Sequence, residues 1–214
     1  MRRNRNSIYA RVGKPALDRT LGLLGLAGLS WLYALLSLAI WLDDPGPILF
    51  KQKRAGIRKN GELSYFNILK FRTMRVDTPH DVPTHLLENP EQWITHVGKF
   101  LRRTSLDELP QLWNIAITHD ISIIGPRPAL WNQYDLIEKR DKYGANDVLP
   151  GLTGWAQVNG RDELTIEEKA RLDGEYAQHI SFAFDCKCFL KTVFSVLRSD
   201  GVVEGKQSVA GKQS

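Results

Sequence analysis

The sequence predicts an α+β chain that is mostly helical: an N-terminal hydrophobic membrane helix, a basic β-hairpin, then a helical domain on a membrane surface. Three observations predict it. Leu21 to Leu42 holds no charged residue, a run of about 22 positions and about 33 Å of helix, which matches a hydrocarbon core. Asn60-Gly61 stands between two β-prone runs, a hairpin signal. Downstream, 164–179 reads as a charged helix and 182–197 as an amphipathic one, with Phe182, Phe189, Val193 and Leu197 on one stripe. The expected division is a basic N-terminus and membrane helix over 1–43, a cytosolic domain over 44–200 and a flexible tail over 201–214.

At 214 residues the chain fits one domain with an appendage and can bury a core without disulfides. With 8 Phe, 6 Trp and 6 Tyr, wholesale disorder is excluded. Lys and Arg number 29 against 24 Asp and Glu, giving +5. That balance suits a polyanion: nucleic acid, anionic lipid or a phosphorylated substrate. The cations cluster beside the membrane segment and no helix-turn-helix, zinc or RNA-binding signature occurs, so no nucleic-acid partner is expected. The two cysteines, Cys186 and Cys188, are too close in sequence to staple distant segments and read as reduced thiols.

Arg2, Arg3, Arg5, Arg11, Lys14 and Arg19 precede the apolar run, and Lys51, Lys53, Arg54, Arg58 and Lys59 follow it. With both flanks basic, charge asymmetry does not orient the helix. Either it spans, or it dips in and returns. Gly22, Gly25, Gly28 and Ser30 favour re-entrance, because small residues and a hydroxyl accommodate a break; the alternative is that these glycines pack a helix–helix contact.

Asp44-Pro45-Gly46-Pro47 ends the helix. The hairpin then carries Lys51, Lys53, Arg54, Arg58, Lys59, Lys70, Arg72 and Arg75. Cations at its turn read as a solvated edge that blocks sheet aggregation. Lys70 and Arg72 alternate with Leu69, Phe71 and Met74, so they are expected half-buried and in need of an anion. The stretch 77–90, with His80 and His85, reads as a polar loop or broken helix, and no metal is assigned to it.

Next comes Ser105-Leu106-Asp107-Glu108. Its bland reading is a capping box, Ser105 as N-cap and Glu108 three residues on, with both carboxylates favoured by a helix dipole. The chemical reading starts from Arg102 and Arg103, which would hold Asp107 ionised. An ionised carboxylate can attack phosphorus, and an adjacent Glu can hold a divalent cation. Gly125-Pro126-Arg127-Pro128 fixes the backbone around one guanidinium. The loop 150–161 combines three glycines, Trp155, Gln157, Asn159 and Arg161, a composition suited to close backbone approach to a ligand; it is neither a Walker A loop nor a dinucleotide fingerprint.

In order, F-K-Q-K-R-A-G, F-N-I-L-K-F-R-T-M, R-R-T-S-L-D-E-L-P-Q-L-W-N, I-S-I-I-G-P-R-P and P-G-L-T-G-W-A-Q-V-N-G-R resemble the bacterial sugar transferase family, the monotopic phosphoglycosyl transferases, over nearly the whole chain. The chain looks like the short form, without the extra membrane helices and domain of longer members. The resemblance implies transfer of a sugar 1-phosphate from a UDP-sugar to a polyprenyl (undecaprenyl) phosphate, releasing UMP. It implies Asp107 as nucleophile, with a covalent phosphosugar intermediate, and Glu108 as its partner, the two holding Mg²⁺. It implies substrate contacts from Lys70, Arg72, Arg102 and Arg127, with Gln157 and Arg161 weaker candidates. It places the chain at the bacterial cytoplasmic (inner) membrane with the catalytic domain on the cytoplasmic face, against membrane lipids; a homo-oligomer is left open. The family breaks its re-entrant helix at Ser-Pro, whereas this chain has Ser30-Trp31. A membrane-tethered protein that binds anionic lipid without catalysis is the rival class; it gives no reason for an Asp-Glu pair among arginines.

Overall fold

The bilayer-length run does not form one continuous helix. In the structure, a computed structural model describing residues 7–78, 89–160 and 163–197, it divides into α1 (Lys14–Gly28) and α2 (Ser30–Asp43), preceded by a π-turn at Tyr9–Gly13. The break falls at Leu29 (φ −98°, ψ 7°), where the helix bends by 61°. Among the described residues, no single helix is long and apolar enough to cross a membrane; the bent pair passes by length and composition together. The glycines divide between the two expectations. A Cβ on Gly22 would sit 3.0 Å from the Ala116 Cβ, and one on Gly25 2.9 Å from Leu112 Cδ1, so both seat α1 against a downstream segment. Gly28 has open space and immediately precedes the break.

α2 ends at Asp43, just before the proline-rich punctuation. The antiparallel hairpin follows as β1 (Leu49–Lys59) and β2 (Glu62–Phe71), closed by Lys59 opposite Glu62 with a register shift between Ala55 and Arg58. Asn60 (φ 52°) and Gly61 (φ 86°) supply the two positive φ angles of a type I′ turn. Lys51, Lys53 and Lys59 are exposed, as a solvated edge requires, whereas Arg58 makes a two-pronged ion pair with Asp141 at 2.5–3.0 Å.

Beyond the hairpin, α3 (His96–Thr104) starts from a Thr95 N-cap whose hydroxyl accepts from Gly98 N at 2.9 Å. Asp43 at the end of α2 accepts from Val97 N at 2.8 Å, so the end of α2 caps the next helix. A single 3₁₀ turn (Leu106–Glu108) and the short α4 (Gln111–Trp113) lead into a π-turn at Asn114–Thr118. The predicted capping box at Ser105 does not form. Ser105 adopts φ 57° and terminates α3, whereas an N-cap needs extended backbone, and Glu108 turns elsewhere. The capping box lies at Thr165–Glu168 instead, opening α6 (Ile166–Gln178).

The rest of the domain is built on a second small sheet, β3 (Ser122–Ile124) parallel to β4 (Gly151–Thr153), with α5 (Tyr134–Tyr143) in the connection. α6 (Ile166–Gln178) and α7 (Phe182–Leu197) complete it where the sequence patterns predict them. α7 turns Asp185 and Cys188 inward and leaves Phe182, Phe189, Leu190, Val193 and Phe194 exposed. Both cysteines are free, and burial with Asp185 nearby pushes the Cys188 thiol up to about 12. The base of α1 is docked on this half: Lys14 Nζ reaches Asp185 at 2.7 Å, and the hydroxyls of Tyr9 and Tyr176 donate to the same carboxylate. Farther along, Leu21, Leu24, Trp31, Leu35, Leu38 and Trp41 are exposed. The architecture is therefore α+β and mostly helical, as predicted. The loop with His80 and His85 and the tail 201–214 lie outside the described residues.

Candidate active site

One core cluster supports the acidic pair. Leu36 and Ile40 of α2, Phe71 of β2 and Leu101 of α3 are buried together, with Leu106 and Leu109 packed against them on either side of the pair. The 3₁₀ turn thus rests on α2 and on the end of the hairpin. Asp107 is 9% exposed; its Oδ2 lies 3.7 Å from Lys70 Nζ. Glu108 Oε1 accepts from Lys70 Nζ at 2.9 Å and from an Arg127 Nη at 2.8 Å. Adjacent strand, turn and loop, distant in sequence, converge on one carboxylate.

Burial acts first on both acids, and neighbouring charge then separates them. Burial lifts Asp107 above its ordinary value; Lys70 opposes this, Glu108 adds to it, and Arg102 opposes it weakly, leaving the carboxyl raised. Lys70 is thus the leading charge favouring the ionised form of Asp107, with Arg102, one of the two arginines expected in that role, behind it. Arg103 is exposed, and Arg102 Nε donates to Thr73 Oγ1 at 2.9 Å. Burial also raises Glu108, but Arg127 and Lys70 outweigh it and bring the acid down to about 2.

Arg127 is presented by a turn held at three consecutive carbonyls. Pro126 O accepts from Gly151 N at 2.9 Å, Arg127 O from Arg140 Nη1 at 2.9 Å, and Pro128 O from Arg54 Nη1 at 3.0 Å. Arg140 is itself fixed by a buried pair with Asp173 at 2.6 Å. The glycines of the 150–161 loop serve this turn: Cβ atoms on Gly151 and Gly154 would fall 2.1 Å from Gly125 N and 2.0 Å from Gly125 O. These two glycines admit another backbone, whereas the third, Gly160, faces the Leu164 side chain.

Arg54 was not singled out by its sequence, where it was one of eight hairpin cations. In the fold it is half-buried near Arg127 and Glu108, and burial followed by Arg127 lowers its guanidinium to about 10. Its place in F-K-Q-K-R-A-G was the available signal; its pairing with Pro128 was not legible. Arg72 goes elsewhere: its guanidinium is engaged by the Asp44 carboxylate, 3.1 Å away, and by the Asp44 carbonyl, tying the hairpin to the end of α2. Gln157 lies in a 3₁₀ turn, its amide donating to Leu152 O at 3.4 Å rather than to the acidic pair. Arg161 lies outside the described residues.

Chemically, the site offers one buried carboxylate of raised pKa beside one strongly ionised carboxylate, with two cations on the latter. The Lys70 and Arg127 hydrogen bonds both fall on Glu108 Oε1, so Oε2 and the Asp107 carboxylate are the hard oxygens suited to Mg²⁺, which takes one or two carboxylates with the remaining positions on phosphate and water. Among the described residues, no group of three or more His, Cys, Asp and Glu converges as a self-sufficient metal cage.

Paired carboxylates beside a lysine and a guanidinium are chemically suited to a phosphorylated ligand. Comparison with known proteins is more specific. The family model described as "Bacterial sugar transferase" matches residues 9–199, and the chain belongs to that family. It is 40% identical over 193 residues to a UDP-glucose:undecaprenyl-phosphate glucose-1-phosphate transferase of Escherichia coli K12, covering 86% of this chain and 40% of that protein. It is 37% identical over 190 residues to an undecaprenyl-phosphate glucose phosphotransferase of Komagataeibacter xylinus, covering 84% and 35%. An uncharacterized sugar transferase of Bacillus subtilis 168 is 39% identical over 156 residues, 73% of each chain. The chain thus spans well under half the length of several curated relatives that it matches.

Proposed function

We propose that the chain transfers a sugar 1-phosphate from a UDP-sugar to undecaprenyl phosphate or a similar polyprenyl phosphate, releasing UMP and forming a polyprenyl diphosphosugar. The observation that carries this reading is the buried Asp107 beside a Glu108 clasped by Lys70 and Arg127. The names of the Escherichia coli and Xanthomonas campestris relatives support the donor and carrier. A galactosyl transferase among the relatives, from Streptococcus agalactiae, leaves the sugar a matter for assay.

In the first step a carboxylate oxygen of Asp107 bonds to the sugar-bearing phosphorus. The bond from that phosphorus to the bridging oxygen breaks, and its electron pair leaves with UMP. In the second, a phosphate oxygen of the carrier bonds to the same phosphorus and the Asp107 oxygen leaves as carboxylate. Lys70 and Arg127, held by Glu108, border the volume where diphosphate charge shifts and are preorganised to stabilise it. Mg²⁺ on Asp107 and Glu108 would neutralise charge on the diphosphate oxygens. Arg102 biases Asp107 toward ionisation. One substrate is anchored in lipid and the other dissolved, so the reaction belongs at a membrane face. We assign it to the cytoplasmic face of the bacterial inner membrane, with the bent α1–α2 pair entering and returning.

Full-length protein in detergent, given undecaprenyl phosphate, Mg²⁺ and a panel of UDP-sugars, is expected to release UMP with at least one donor. Asp107→Asn should lower kcat by roughly 10³-fold or more. Without carrier, mass spectrometry should find a hexose-phosphate adduct on Asp107. Transfer at the normal rate by the Asn variant overturns the mechanism, and UMP release with no donor overturns the reading.

A further inference from the structure

The two arms of the bent helix each hold one partner of the Glu108–Arg127 contact. On α2, the Tyr33 hydroxyl donates to the carbonyl of Leu109, the residue after Glu108, and the Tyr33 ring packs on Phe71, next to Lys70, with centroids 5.6 Å apart. On α1, Asp18 is 4% exposed and its Oδ1 accepts from Ile123 N at 3.1 Å. Ile123 lies on β3, which runs directly into Gly125-Pro126-Arg127-Pro128. The second oxygen of Asp18 is buried with no hydrogen-bond partner. A carboxylate so placed is costly to the fold, and an apolar side chain would suit a membrane helix better. Nothing in the chemistry described above uses Asp18 or Tyr33.

We infer that Tyr33 and Asp18 are positioning residues, through which the bend at Leu29 sets the separation of the acidic turn from Arg127. α2 fixes the carbonyl that follows the pair, and α1 fixes the strand that delivers the guanidinium. A one-residue hinge lies between the two arms; α1 also seats on Ala116 and Leu112 through Gly22 and Gly25, but its Asp18 bond is what ties it to the arginine strand, so a change in bend shifts that strand relative to the acidic turn. Misplacing a preorganised group by about 1 Å can cost on the order of 10²-fold in rate. The catalytic consequence rests on the proposed transfer; the geometric claim does not.

The test has two arms. Spin labels are attached through Trp113→Cys, on the acidic side, and Tyr134→Cys, beyond the arginine turn, in a background carrying Cys186→Ser and Cys188→Ala; both labelled positions are exposed. Pulsed electron-spin distance measurement on the full chain in nanodiscs should give a narrow distribution. Tyr33→Phe, which keeps the ring on Phe71, and Asp18→Val should broaden or shift it, while Asp18→Asn, which keeps an acceptor oxygen, should restore it. The exposed hairpin variant Tyr65→Phe serves as control. In parallel, unlabelled Tyr33→Phe should lower kcat for UMP release about tenfold with KM for the UDP-sugar unchanged. Unaltered distances in both Tyr33→Phe and Asp18→Val overturn the inference. So does an unaltered kcat in an active enzyme, or a lowered melting temperature with distances and kcat intact. Wild-type protein that releases no UMP refutes the proposed function instead, and the distance arm still decides this one.

Discussion

Asp107 and Glu108 are adjacent in sequence and opposite in electrostatic fate. Burial presses on both, but Glu108 is bracketed by Arg127 and Lys70 and falls to about 2, whereas Asp107 meets Lys70 only at 3.7 Å and stays raised. A nucleophile must be ionised, so the proposed transfer has an acidic limb set by Asp107. Its pKa is raised, so activity is lost as pH falls through a value above the 3.8 of an ordinary aspartate. Lys70→Gln removes the leading opposing charge and should move that limb to still higher pH. A pH profile of single-turnover UMP release checks both; a limb at or below 3.8, or an unmoved limb in the variant, contradicts the assignment. The sign is reversed for Glu108: its folded pKa lies below 4.5, so it stabilises the fold above that pH and loses the contribution as pH falls toward 2.

At the scale of elements, the arginine turn is a product of its neighbours. Arg140 supports it while pairing with Asp173 inside the α5–α6 contact. Arg140→Leu strands a buried carboxylate and should cost about 3–5 kcal/mol, read as a lower urea midpoint. Adding Asp173→Leu should recover much of that stability, because an apolar pair can replace a buried ion pair. It should not recover turnover, because Arg127 O has still lost its donor. Recovery of both would make the pair structural only. The sequence showed the Pro-Arg-Pro turn and its guanidinium plainly, since proline restraint is local. It did not show that Gly151 and Gly154 exist to admit Gly125, because a glycine's partner is chosen by the fold. Ser105 fails in the same way: Ser-x-x-Glu reads as a capping box, yet α3 ends there and sets its φ at 57°.

For the molecule as a whole, exposed apolar side chains on α1, α2 and α7 and the exposed Lys51, Lys53 and Lys59 of the hairpin are the features that a lipid surface would engage. Headgroup attraction is about 1 kcal/mol per cation near an anionic leaflet. Lys51→Glu, Lys53→Glu and Lys59→Glu should therefore each weaken partitioning into phosphatidylglycerol-containing vesicles about fivefold or more. Partitioning into neutral vesicles should hold, because the apolar arms are untouched. Vesicle cosedimentation at low and high salt separates the terms; equal losses on both vesicle types would detach the hairpin from the membrane plane.

By itself the sequence determined what depends on neighbours along the chain. The I′ turn at Asn60-Gly61, the helix stop before Pro45, the α6 and α7 patterns and the adjacency of Asp107 to Glu108 all follow from local sterics and periodicity. Only the tertiary structure decided which cations meet which anions. Arg72 goes to Asp44, Arg54 comes to the arginine turn, and Lys70 and Arg127 close on one oxygen of Glu108. Charge is a property of the residue, but pairing and desolvation are properties of position in space, and those are fixed when distant segments pack.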